Sequence, residues 1–122
     1  MTNSEIENAF ELLGKLMELH GENSFKAKSY LSASYNISKL NNQLSEISPE
    51  ELEAISTIGV SVKQKIKELL STGHIAVLDA LLEKTPQGVV EMMSIKGLGP
   101  KKVSTIWRDL EIESIDELLY AC

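Results

Sequence analysis

With one cysteine in 122 residues, Cys122 at the last position, the chain has no disulfide framework and no thiolate metal site. Prolines number three and glycines seven, and a hydrophobic content of 43% supports a core, which together exclude a disordered composition. No apolar run approaches the ~20 residues that span a bilayer, so no membrane partner is expected. The start, Met1-Thr2-Asn3-Ser4-Glu5, lacks the basic and apolar regions of a signal peptide, and a cytoplasmic protein is the simplest expectation. There is no Asp-x-Asp, no His-Glu-x-x-His and no Gly-Lys-Ser/Thr phosphate loop. His20 and His74 lack metal-ligand spacing and read as helix-end residues. Period-two alternation is also missing, which leaves an all-α chain of one domain, or of two small ones packed together.

Positive charge is in deficit, with a net charge of −6, yet it is not evenly spread. Acidic residues gather in Glu5 to Glu18, Glu46 to Glu53 and Asp109 to Glu117. Basic residues gather at Lys26 and Lys28, at Lys63, Lys65 and Lys67, and at Lys96, Lys101, Lys102 and Arg108. The last two groups flank two short Gly-containing segments, so a salt-sensitive contact with a phosphate backbone fits this distribution.

Helical periodicity and its punctuation divide the chain. The pattern predicts a helix from about Ser4 to His20, with Ile6, Phe10, Leu13 and Met17 on one stripe and Gly21 as its stop. A second, from near Ser24, carries Phe25, Tyr30, Ala33 and Ile37 and ends at Asn41-Asn42. Ser48-Pro49-Glu50-Glu51 is an N-terminal signal for a short helix. Further helices are expected over about 61–72, ending at Gly73, over 75–84, after Thr85-Pro86, and from Pro100 through Leu110. Ser114-Ile115-Asp116-Glu117 reads as a capping box for a terminal helix.

Two of the junctions repeat. Ile95-Lys96-Gly97-Leu98-Gly99-Pro100-Lys101-Lys102 echoes Ile55-Ser56-Thr57-Ile58-Gly59-Val60-Ser61-Val62, and Ile66 matches Ile106 at the same spacing. Each sets a tight turn against a helix start, where free amides and the dipole's positive end favour a phosphate. This is the pattern of a helix-hairpin-helix. In the second, Val103, Ile106, Trp107 and Leu110 fall on one face, while Lys101, Lys102, Thr105 and Arg108 fall away from it. Gly97, Leu98, Gly99, Lys101 and Lys102 are therefore the candidate DNA contacts, set against the plainer reading of a Gly turn with solvated lysines. In the first, Thr57 stands where a glycine is expected, so the turn must accommodate a β-branched residue or change shape. Gly59, Ser61 and Lys63 are candidate contacts there, beside the alternative of a turn that merely packs. Val62, Ile66, Leu69 and Leu70 form the core face of the next helix, with Lys65 at its edge and Lys67 further out. A rim lysine that loses hydration becomes a nucleophile able to form a Schiff base, although most such lysines only snorkel.

The order of elements resembles the N-terminal region of family X DNA polymerases. Beyond the hairpins, the resemblance is carried by Gly21-Glu22-Asn23-Ser24-Phe25-Lys26-Ala27-Lys28-Ser29-Tyr30, by Lys65-Ile66, by Ser71-Thr72-Gly73 and by Ser114-Ile115-Asp116-Glu117-Leu118. It implies a polymerase beta-like 8-kilodalton domain over 1–84 and a fingers-like second hairpin over 85–122. It also implies binding to gapped or nicked DNA, or to a single-strand/duplex junction, in base-excision repair, inside a bacterial cell and near its nucleoid. Lys26 and Tyr30 match positions near the 5′-phosphate, and Lys65 matches the Schiff-base lysine of a 5′-deoxyribose-phosphate lyase. Two other basic positions of that pocket are Ser61 and Val77 here. No cofactor is required. K+ or Na+ is implied at the hairpin carbonyls, on Met93, Ile95 and Leu98 and, at the first turn, on Glu53, Ile55 and Ile58. Palm and phosphoesterase domains have no counterpart, so neither polymerisation nor 3′-end hydrolysis is expected, and the missing polymerase domains are themselves candidate partners. The acidic runs leave a third expectation open, a helical protein-interaction module.

Overall fold

A computed structural model of the chain describes residues 1–95 and 97–121, apart from the side chains at 118 and 121. Lys96, Leu118 and Cys122, each weighed above, fall wholly or by their side chains outside the described residues. Among those residues there are eight α-helices and no strand. They are α1 (Asn3–Leu19), α2 (Ser24–Ser38), α3 (Pro49–Glu53), α4 (Val60–Thr72), α5 (Ala76–Glu83), α6 (Gln87–Met92), α7 (Pro100–Leu110) and α8 (Ile115–Ala121). A single 3-10 turn, Leu44–Glu46, lies between α2 and α3. No helix of the described residues is long and apolar enough to cross a membrane.

The punctuation read from the sequence sets most of these ends. Thr2 caps α1 in a reciprocal box with Glu5. Ser48 caps α3 by accepting from the Glu51 amide at 3.2 Å, and Gly73 closes α4 in the left-handed region at φ 80°. The box before α8 is only half formed. Ser114 accepts from the Glu117 amide at 3.1 Å, but the Glu117 carboxylate takes the serine hydroxyl at 3.4 Å.

Helix α1 is the central element, packing against α2, α5 and α7. Its Ile6, Phe10, Leu13 and Leu16 are fully buried, and they join a core that continues through Ile37, Ile66, Val89 and Val103. Phe25 departs from its expected stripe and is 80% exposed. The buried face of α2 runs through Ala27, Tyr30, Ala33 and Ile37, steps of three and four that leave position 25 off the grid. Leu110 also departs, at 62% exposed, because the chain turns away at Glu111, which takes a left-handed conformation at φ 57°.

Two devices, one polar and one steric, seat the hairpins on this frame. Asn3 is buried, and its amide N–H donates to the Gln43 side chain at 2.9 Å. Its side chain donates to the Asn42 carbonyl at 2.8 Å and accepts from the Leu44 amide at 2.7 Å. The loop leading to α3 is thereby tied to the start of α1. On the other side, a side chain at Gly88 in α6 would strike the backbone of Glu113 and Ser114, so glycine lets the segment before α8 lie directly on α6.

Candidate nucleic-acid interface

The second hairpin is built from the end of α6, a turn, and the start of α7. Ile95 accepts from the Leu98 amide at 3.0 Å, and Gly97 takes φ 90°, a conformation that only glycine adopts without strain. Gly99 is extended at φ −79°, so its glycine is not a conformational need. Open space surrounds the place a Cβ would take, and another backbone can approach there. Gly99 offers no side-chain cap, and the first helical amide bond runs from Val103 to the Gly99 carbonyl at 3.0 Å. With Pro100 at the first position, the amides of Lys101 and Lys102 remain for an outside acceptor. Both lysine side chains are exposed, and the Lys102 ammonium donates to the Gly97 carbonyl at 3.2 Å. The groove under the turn also takes in Lys15 of α1, which is paired with Glu11 at 3.1 Å, and Glu18.

Helix α7 is moored to the body at its other end. Trp107 is half-buried and meets the His20 ring edge-on at 5.6 Å between centroids. The Arg108 guanidinium lies 5.4 Å from the Trp107 ring and donates to His20 Nδ1 at 3.2 Å. Arginine can only donate, so His20 accepts at Nδ1 and holds its proton on Nε2, which donates to Thr85 Oγ1 at 2.8 Å. Thr85 passes its own proton to the Leu81 carbonyl at 2.7 Å. Burial lowers the pKa of His20, and the neighbouring Arg108 charge lowers it further. Arg108, grouped above with Lys96, Lys101 and Lys102, is thus engaged within the protein.

The first hairpin has another geometry. Thr57 is not in the left-handed region, so the turn has changed shape around its β-branched residue. Its carbonyl accepts from the Asn36 side chain of α2 at 3.1 Å. Gly59 caps α4 without a side chain, again in open space, and the amides of Ser61 and Val62 precede the first helical bond from Lys63. A groove runs between this turn and α2, and includes Phe25, Lys26, Tyr30 and Ser61. Tyr30 is buried against Phe10, while its hydroxyl reaches Ser61 Oγ at 3.5 Å on the groove wall. Lys26 is exposed, and the half-buried Lys65 places its ammonium 5.7 Å from the centre of the Tyr30 ring.

The lysines of α4 correct the sequence reading. Lys63, a candidate DNA contact, is only 8% exposed and donates to the Glu53 carbonyl at 2.8 Å. Lys67 pairs with the Glu53 carboxylate at 2.6 Å. That hydrogen bond and the Lys67 charge hold the Glu53 carboxyl below its usual range, and the charge of Lys63 adds a smaller pull in the same direction. Lys63 therefore faces α3, not an outside phosphate. The same contact bears on the monovalent ion implied at this turn. Of its three carbonyl ligands, the one from Glu53 already receives an ammonium, so these residues do not fit a bound ion. At the second turn Val103, buried and aliphatic, stands in the register of Lys63. The Ile95 carbonyl keeps a second lone pair beyond its bond to Leu98, so it remains available to an outside cation. Among the described residues no cluster of His, Cys, Asp or Glu is arranged to hold a metal.

Periodicity placed Phe25 in the core, and so missed it as a surface group. An aromatic ring that is 80% exposed beside Lys26 and Lys28 is a platform on which an unpaired base can stack.

Residues 1–75, from α1 through α4, match a helix-hairpin-helix domain model. Over all 122 residues the chain is 29% identical to "DNA polymerase/3′-5′ exonuclease PolX" of Bacillus subtilis (strain 168). It covers 21% of that protein, about a fifth of its length.

Proposed function

The chain belongs to the helix-hairpin-helix domain family, and from that premise we propose that it is a DNA-binding module for the backbone of gapped or nicked duplex in base-excision repair. The observation that carries this reading is the second hairpin. An uncapped helix start, open space at Gly99 and two exposed lysines converge on one phosphate-sized approach. The contact reads no base, so the module would select a DNA shape and leave sequence unread. The first-hairpin groove supplies the selection for a break: Phe25 stacks on a base freed of its partner, while Lys26 and the Ser61 amide take the adjoining phosphate. K+ or Na+ on the Met93, Ile95 and Leu98 carbonyls would add positive charge beneath the second turn. Likeness to the polymerase/exonuclease of B. subtilis, of which the chain covers about a fifth, supports a role beside catalytic domains.

Titration against gapped, nicked and intact duplex at two salt concentrations tests the reading. Preference for the gapped form with a steep salt dependence is expected. Equal affinity for intact duplex would refute gap recognition, and no binding at low salt, with a protein partner recovered instead, would favour the interaction module.

A second reading rests on Lys65. Its half-buried ammonium over the Tyr30 ring lies beside the groove in which a 5′-sugar phosphate would sit. As a free amine it would add to the C1′ aldehyde of a deoxyribose phosphate and, with loss of water, form an imine. Borohydride should then trap the chain on an incised abasic duplex, and trapping that survives Lys65→Ala would exclude this nucleophile.

A further inference from the structure

We propose that Lys63 is a built-in cation of the first hairpin: its ammonium takes the position in which a monovalent ion would otherwise sit, so this turn closes without binding one. A lysine on a helix rim ordinarily extends its stem over apolar surface and leaves its charge in water. Lys63 does the opposite. It is only 8% exposed, and its Nζ bends back to the carbonyl of Glu53 at 2.8 Å. An ammonium withdrawn from water is costly unless it is paired and hydrogen-bonded. Here the pairing is present. The accepting carbonyl belongs to the last residue of α3, at the negative end of that helix, and the carboxylate of the same residue lies within electrostatic reach. Carbonyl and carboxylate of one residue thus make a cation cradle, filled by Lys63 at the carbonyl and by Lys67 at the carboxylate.

The repeat supplies a control within the same chain. In the register that pairs Gly59 with Gly99, Glu53 falls opposite Met93 and Lys63 opposite Val103. The second hairpin therefore has neither side chain at these positions, and the ammonium that reaches its turn is that of Lys102, on the Gly97 carbonyl at 3.2 Å. At these two register positions acid and base are present together in one hairpin and absent together in the other, as expected if each requires its partner. A side-chain cation has one consequence that an exchangeable ion lacks: the closure of α3 on α4 becomes independent of which monovalent salt surrounds the protein.

Amide hydrogen exchange of the full chain, in potassium chloride and in choline chloride at equal ionic strength, tests this. Choline is too large for a carbonyl cradle. Protection of the Leu52–Val62 segment in the wild-type protein should be the same in both salts. A rise of about tenfold in potassium would overturn the proposal, and that arm needs no variant. Lys63→Met keeps the stem and removes the charge. It should lower protection of this segment by about tenfold while α1 stays protected, and potassium but not choline should restore it. Unchanged protection in Lys63→Met, or a loss that no monovalent salt reverses, would equally refute the assignment.

Discussion

At the first hairpin α4 brings three lysines to the turn, and two of them are held by a single residue of the preceding helix, Glu53. At the second, Met93 stands in place of that glutamate, and Lys101 and Lys102 remain on the surface beside open helix amides. A count of basic residues, nearly equal at the two hairpins, understates how far they differ. The field available to an outside phosphate depends on whether an acid within reach claims the lysines first. The first hairpin has largely neutralised itself and offers shape, a groove with an exposed aromatic. The second offers charge.

Substitutions that exchange these characters test the contrast. The largest effect is expected from Lys101→Ala combined with Lys102→Ala. Affinity for gapped duplex at low salt should fall by about tenfold to a hundredfold, and the slope of log affinity against log salt should flatten by about two. Lys67→Ala removes a lysine that faces Glu53 and should change affinity by less than about twofold. If the two sets proved equal in the same titration, the division between the hairpins would collapse.

Next come the turns. Gly97→Val forces a β-branched residue to φ 90° and should cost about 1–2 kcal/mol in urea unfolding. The reciprocal Thr57→Gly lies at a turn already shaped for a β-branched residue. It should lose about 1 kcal/mol or less, through the greater freedom of the unfolded chain.

The smallest effects are those of pH, and they separate the hairpins by window. The folded His20 resists protonation, because burial and Arg108 lower its pKa. Below its ordinary value of about 6.5 the unfolded chain binds more protons than the folded one, so stability declines as the solution becomes mildly acidic. His20→Gln should flatten that decline in thermal melts between pH 7 and pH 5. Glu53 has the same proton preference, exercised at lower pH. Its lowered pKa gives stability that is present above the usual carboxylate range and lost as pH falls through the folded value. Acid should therefore loosen the α7 mooring first and the first hairpin later, a sequence that residue-resolved amide exchange would register.

Much of the fold is legible in the sequence because its helix ends are written in Ser, Pro and Gly, whose effects are local. Ser48-Pro49, Gly73 and Pro100 each mark an observed end. What escaped depends on partners distant in sequence or on phase. Phe25 looks like core until its step from Ala27 is set against the three- and four-residue spacing of the buried α2 face. Lys63 did carry a signal, since it stands three residues before Ile66 and so on the flank of the buried face. The Glu53 carbonyl that receives it belongs to another helix, across a turn whose shape no periodicity predicts. His20 and Arg108 are farther apart still, and their contact exists only because α7 packs on α1.

The three hydrogen bonds of Asn3 have a kinetic meaning as well as a structural one. They join the first helix to a stretch about forty residues later, ahead of both hairpins in the chain. Contacts of that separation form only after a long loop has closed, and they slow folding in proportion to the entropy surrendered. The α1–α2 pair is thus expected to collapse first, with the hairpins assembling afterwards against a scaffold whose entry loop is already fastened. In stopped-flow refolding, Asn3→Ala should then mainly slow the gain of protection in α3 and α4 while leaving the early α1–α2 phase unchanged.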